Sequence, residues 1–221
     1  MAKKQATIQD IANALKTTAS TVSRALNDHP KISVSMKQQV WEKAKELHYQ
    51  PNVIASSLRR GKANMVGMIV PRINRHFFSN VITGVESILN PAGYNLMICQ
   101  SDEKLEKERE NIKTFIASRV DGVLISISVE TNEVSHLQML IDNHIPLVMF
   151  DRISNKLEVH KVENDDIAGS YDLTNHLLDQ GYRNIMWVGG PRTSNIYFNR
   201  YEGYRRALSE RGIDPATMML F

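Results

Sequence analysis

The stretch TTASTVSRALND, residues 17–28, is a run of small hydroxylated side chains closed by an arginine, and its reading decides the fold of the first quarter of the chain. Thr18 is a residue that caps helices, and Val22, Ala25 and Leu26 then recur on one face at helical spacing. The other face carries Ala19, Ser20, Thr21, Ser23 and Arg24. The following NDHP, residues 27–30, stops the helix, since proline cannot continue its hydrogen-bond ladder. Upstream, Thr7 followed three residues later by Asp10 signals a helix start, with Ile8, Ile11, Ala12 and Leu15 on one side. Downstream, Ser33 caps a third helix whose apolar stripe is Met36, Val40, Trp41, Ala44 and Leu47. Three short helices within residues 1–50 make a minimal core.

A short helix, a tight turn and a second helix with a small, polar exposed face are what a helix-turn-helix reader of DNA requires. Such a helix enters the major groove, where hydroxyls bond phosphates or base edges and an arginine bonds guanine at two points. The charge supports this reading. Residues 1–62 hold eleven Lys and Arg against four Asp and Glu, a balance of +7, whereas residues 63–221 hold sixteen against twenty, a balance of −4. A basic module on a mildly acidic body suggests a polyanion partner for the module and another task for the body.

Beyond the module, Pro51 and Gly61 bracket a helix of about two turns within QPNVIASSLRRGKAN, too short to hold alone in water and so a candidate hinge over residues 51–63. From residue 65 the pattern changes to the short apolar runs MVGMIVP, NLMICQ, DGVLISIS, IPLVMFD and NIMWVGGP. Helical stretches near 78–90, 103–118, 133–143, 166–180 and 196–211 alternate with them. This alternation implies a parallel sheet covered on both faces, because parallel strands need crossover helices.

No apolar run reaches the roughly 18 residues of a membrane span, and MAKKQATIQD lacks the apolar stretch of a signal peptide, so a cytoplasmic protein without a membrane partner is expected. The single cysteine, Cys99, lies in an apolar strand and reads as a small buried hydrophobe. No Cys or His cluster has metal-ligand spacing, and neither a metal nor another cofactor is expected. Enzyme signatures are absent: VGGPRTSN is not G-x-G-x-x-G, ASTVS is not a nucleophile elbow, and the adjacent Asp165 and Asp166 diverge on a helix. Asp165 serves equally as a helix cap or as a group near the crossover between lobes. A solute-binding protein with an incidental headpiece is the rival reading.

TIQDIANALKTTASTVSRALNDHPKIS, VWEKAKELHYQPNVIASSLRRGKANMVGMIVP and ASRVDGVLIS together resemble the lactose-repressor/galactose-repressor (LacI/GalR) family of bacterial transcription regulators, from residue 6 nearly to the end. The resemblance implies an N-terminal three-helix helix-turn-helix headpiece and an α/β periplasmic-binding-protein-like body of two lobes around an effector cleft. It divides the chain into 1–50, a DNA-binding domain; 51–63, hinge helix and linker; 64–163, the first effector subdomain; and 164–221, the start of a second. It places groove-reading positions at Ala19, Ser20 and Arg24, with Thr18, Thr21, Ser23, Asn27 and Lys31 nearer the phosphates. Leu58 becomes an apolar wedge for the minor groove, and Arg59 and Arg60 suit phosphate or minor-groove contact.

The implied partners are double-stranded, near-palindromic operator DNA, a second copy of the chain, and a small effector, a sugar or sugar phosphate. Arg200 stands where relatives place an arginine that bonds ligand oxygens, with a surface ion pair as the alternative role. Asp151 ends a strand at the edge where open α/β sheets bind ligands. Phe77 and Phe78 follow the first strand, where an aromatic face covers a ligand's apolar side unless one of the two is core. Relatives continue for roughly another lobe's worth of α/β units, so an incomplete second lobe in a truncated product is expected, and with it an impaired effector response.

Overall fold

The computed structural model describes residues 6–50 and 62–215. The expected hinge helix, with Leu58, Arg59 and Arg60, and the end of the chain after residue 215 lie outside the described residues. The chain divides into two compact units at Arg60 and Gly61.

The first unit contains α1 (Ile8–Ala14), α2 (Ala19–Leu26) and α3 (Val34–Glu46). Each begins where a hydroxyl satisfies an amide that the helix itself leaves unpaired. Thr7 and Asp10 form a capping box, Thr18 accepts from the Thr21 amide, and Ser33 accepts from the Met36 amide. The caps fix helix phase so that Ile11, Ala12, Val22, Ala25, Val40 and Ala44 meet in one buried cluster. Trp41 departs from the expected apolar stripe: it is 55% exposed. A helix turns about 100° per residue, so the position after buried Val40 lies at the edge of the stripe.

In the second unit β1 (Met65–Val70), β2 (Asn95–Gln100), β3 (Gly122–Ile125), β4 (Leu147–Phe150) and β5 (His160–Val162) form one parallel sheet in the order β2-β1-β3-β4-β5. The crossover helices are α4 (His76–Leu89), α5 (Leu105–Ser118) and α6 (Ser135–Asp142). Alternation along β1 assigns the two faces. Met68 and Val70 pack with Phe78 and Ile82 of α4, whereas Ile69 packs with Ile112 and Phe115 of α5 and with Leu137 and Leu140 of α6. The sheet is therefore covered on both sides, as its near-continuous apolar strands require. Cys99 is half-buried against the second of these clusters, and burial pushes its thiol pKa up. The strand β5, HKV, was not in the expected set, because three residues with two exposed side chains carry no apolar signal.

Helices α7 (Asp166–Asp179) and α8 (Asn195–Glu210) pack on each other around Leu178, Tyr204 and Leu208. Their approach is so close at Gly203 that a Cβ there would collide with the Ile167 carbonyl oxygen. The expected strand over NIMWVGGP is not formed: among the described residues only Trp187 makes an isolated bridge. Among the described residues no strand lies beside this run to take up its amides and carbonyls. Trp187 instead turns onto Tyr201 and Tyr204, with Met186 and Val188 exposed on either side.

Candidate nucleic-acid interface and ligand cleft

Burial of Val22 and Ala25 turns the opposite side of α2 outward. Ser20, Arg24 and Asn27 are exposed, and Ala19, Thr21 and Ser23 are half-buried. Positions 20 and 24 are one turn apart, and 19 and 23 form the adjacent row, so the positions expected to read the groove occupy one face. At the start of α2 the Thr18 hydroxyl lies 2.9 Å from both Ser20 Oγ and Thr21 Oγ1. Three hydroxyls beside the electropositive end of a helix suit a phosphate oxygen. At its other end the Asn27 side-chain amide donates to the Ser23 carbonyl (2.7 Å). Lys31 is exposed in the following turn, where its backbone amide donates to His29 Nδ1 (3.2 Å). Lys37 reaches across from α3 to Asp28 (2.5 Å), holding that carboxyl below its usual range and offsetting its charge.

In the second unit a cleft of about 610 Å³ opens at the carboxyl ends of β3, β4 and β5. One wall is the loop after β3, with Ser128 and Thr131; another is the loop after β4, with Arg152 and Lys156; the third is the entry to α8, with Arg192, Asn195 and Phe198. Open parallel sheets bind ligands at this edge because successive loops diverge there. The walls are tied together. Asn195 Nδ2 donates to the Asp151 carbonyl (3.2 Å) and to Glu163 Oε1 (3.1 Å), while its Oδ1 accepts from the Ile153 amide (3.2 Å). Arg152 donates to Glu103 (2.6 Å), and Lys156 Nζ donates to the Asn132 carbonyl (2.6 Å). Arg192 lies 3.8 Å from the centre of the Tyr201 ring.

None of the four residues expected at an effector lines this cleft: Phe77 and Phe78 touch each other, whereas Asp151 and Arg200 make no direct bond and each binds another side chain. Asp151 sits beside the cleft in a left-handed conformation, φ +60°, which residues other than glycine seldom adopt. Its carboxylate accepts from Ser126 Oγ (3.0 Å). Burial raises its pKa, opposed by that hydrogen bond and by the charges of Arg152 and Arg200. Arg200 Nε donates to Asp166 Oδ1 (2.7 Å), so it engages in an ion pair within the chain, still within electrostatic reach of Asp151. Adjacent Asp165 accepts from the Ala168 amide as the N-cap of α7, so the two carboxylates do diverge.

Phe77 and Phe78 meet edge to face, with ring centres 5.2 Å apart. Phe78 is core, 6% exposed and packed against Phe150, whereas Phe77 is 44% exposed. Nothing local in the sequence marks Asn195, Arg192 or the Ser128 loop as walls of a cleft. Two of these three lie at the start of a helix, and the third lies in a loop whose wall position depends on its neighbours.

The headpiece, residues 7–52, matches the family described as bacterial regulatory proteins, lacI family, and residues 63–220 match the periplasmic binding proteins and sugar binding domain of the LacI family. The chain belongs to the LacI family. It is 32% identical over 216 residues to the HTH-type transcriptional regulator RegA of Clostridium saccharobutylicum, covering 96% of this chain and 64% of the relative. It is 33% identical over 208 residues to the ribose operon repressor of Halalkalibacterium halodurans, covering 94% of this chain and 61% of the relative. The chain thus spans less than two thirds of the length of these relatives. In fold it is similar to the lac repressor dimer bound to operator and the anti-inducer ONPF, with a TM-score of 0.83 at 20% identity over 98% of this chain and 65% of that one.

Proposed function

We propose that the protein is a sequence-specific, DNA-binding transcription regulator of the cytoplasm, a repressor that binds a near-palindromic operator as a homodimer. The outward face of α2, with Ser20 and Arg24 one turn apart on a capped helix in a basic unit, carries this reading. Ala19, Ser20 and Arg24 read base edges in the major groove, while Thr18, Thr21, Ser23, Asn27 and Lys31 hold phosphates. Leu58 from each protomer wedges a central base step, with Arg59 beside it. The protein performs no catalysis: its work is the coupling of two binding equilibria.

The second equilibrium is that of a small effector, a sugar or sugar phosphate, bound where the first effector subdomain (64–163) meets the second (164–221). The wall donors and acceptors around Asn195 and Ser128 suit vicinal hydroxyls, and Asp151 and Arg200 act from its margin. Binding biases the hinge between two states, so DNA affinity and effector affinity are linked.

Selection of bound duplexes from a random pool, repeated with Arg24→Ala and Leu58→Ala across a salt series, tests the DNA reading. An enriched palindrome, relaxed by the first substitution and weakened by the second, is the expected result. Binding that is uniform across sequences and removed only by salt overturns it.

A further inference from the structure

A buried polar group with no part in the contacts described so far lies directly behind the cleft. Glu108, in the first turn and a half of α5, has no exposed surface, and His136 on α6 is 3% exposed. The Glu108 carboxylate accepts three hydrogen bonds: from the Ser128 amide, from Thr131 Oγ1 (2.8 Å) and from His136 Nε2 (3.0 Å). Ser128 and Thr131 are cleft-lining residues. A buried carboxylate is tolerated only when its lone pairs are used, and here two of its three partners are the loop that forms a wall.

The chemistry of these groups sets the direction of each bond. A carboxylate only accepts. Thr131 therefore spends its single hydroxyl proton on Glu108 and must accept in its 2.9 Å contact with Ser128 Oγ, which makes Ser128 the donor there. Ser128 Oγ has then used its only proton and retains lone pairs. His136 must carry its proton on Nε2, and its Nδ1, also buried, has no hydrogen-bond partner among the described residues. The relay runs from Ser128 through Thr131 to Glu108, so the serine at the wall is left as an acceptor.

We propose that Glu108 is a positioning residue for ligand recognition: from behind the wall it sets both the place and the hydrogen-bonding sense of Ser128 and Thr131, so that this wall takes a ligand hydroxyl rather than an anionic oxygen. This rests on the reading of the cleft as the effector site. Independent anchors hold the same loop. The Val129 amide donates to Glu103 (3.1 Å), and the Ile127 amide donates to the Arg152 carbonyl (3.2 Å). Removing the carboxylate alone should accordingly disturb the Ser128–Thr131 turn and spare its flanks.

The test compares the full chain with Glu108→Gln and with His136→Phe, the second keeping bulk and carboxylate should the first fail to fold. Amide hydrogen exchange is read at Ser128 against Ser126 and Ile127, the ring-nitrogen shifts of His136 are read in the wild type, and D-ribose is titrated by calorimetry as a neutral polyhydroxyl probe. Expected are an Nε2-protonated His136, at least tenfold faster exchange at Ser128 in Glu108→Gln with its neighbours within threefold, a smaller change of the same pattern in His136→Phe, and at least tenfold weaker D-ribose binding in Glu108→Gln. Unchanged exchange at Ser128, equal loss at all three amides, or D-ribose binding that survives Glu108→Gln intact overturns the proposal. If the wild type takes up no D-ribose, it is the choice of a neutral sugar for the cleft that fails, and the exchange pattern still decides whether Glu108 holds the wall.

Discussion

Single residues carry the recognition expected of this protein, and two of them make different predictions about stability. Arg24 is exposed on α2 and contributes nothing to the headpiece core. Arg24→Ala should leave folding unchanged and cost about 1–3 kcal/mol of discrimination at one base pair. Competition between the selected operator and singly substituted duplexes measures this, and a uniform loss across all positions would reassign Arg24 to a phosphate. Asp151 combines a left-handed backbone with a desolvated carboxylate. Because burial raises its pKa, the unfolded chain releases this proton at lower pH than the native state does, so stability falls as pH rises through that window. Asp151→Asn removes the charge and tolerates the positive φ. It should melt above the wild type at pH 7, with the gap closing below the ordinary carboxylate value near pH 4. The same variant should bind effector more weakly, since strained, desolvated groups are kept where function needs them.

At the scale of elements, caps and close approaches decide what forms. Thr18→Ala removes the acceptor of the Thr21 amide and should destabilise the headpiece by about 1 kcal/mol, read from denaturant unfolding followed by helical circular dichroism. Gly203→Ala should cost about 1–3 kcal/mol, because the added methyl meets the Ile167 backbone rather than a side chain that can move aside. Proteolysis confined to residues 166–210 is the sign that α7 and α8 have parted. The caps were legible in the sequence, since Thr7, Thr18, Ser33 and Asp165 are residue types that take up amides and each stands just before a periodic run. The strand over NIMWVGGP was not decidable in this way. Its apolar run satisfies local propensity, but a strand also requires a partner, and that is a long-range condition. The short strand β5 fails in the opposite sense, being set by its neighbour β4 rather than by its own side chains.

For the whole molecule, the charge asymmetry and the two units lead to one prediction each. With a balance of +7 in residues 1–62 and −4 beyond, DNA affinity should fall steeply with salt through counterion release, and effector affinity should not. The headpiece core holds six buried residues, three of them alanine, so it should unfold at lower temperature than the body in calorimetry, and operator DNA should raise the lower transition alone. A single transition that DNA moves as one would mean that the units fold as a cooperative whole. The sequence by itself determined the three capped helices, the parallel α/β alternation and the outward, polar side of α2, because caps, periodicity and charge act over a few neighbouring residues. Only the tertiary structure decided that Phe78 is core and Phe77 exposed, that Arg200 pairs with Asp166, and that Asn195, Ser128 and buried Glu108 converge on one cleft. Those outcomes depend on which distant segments the chain brings within hydrogen-bonding distance, a property of the packed sheet and helices that no local run of residues encodes.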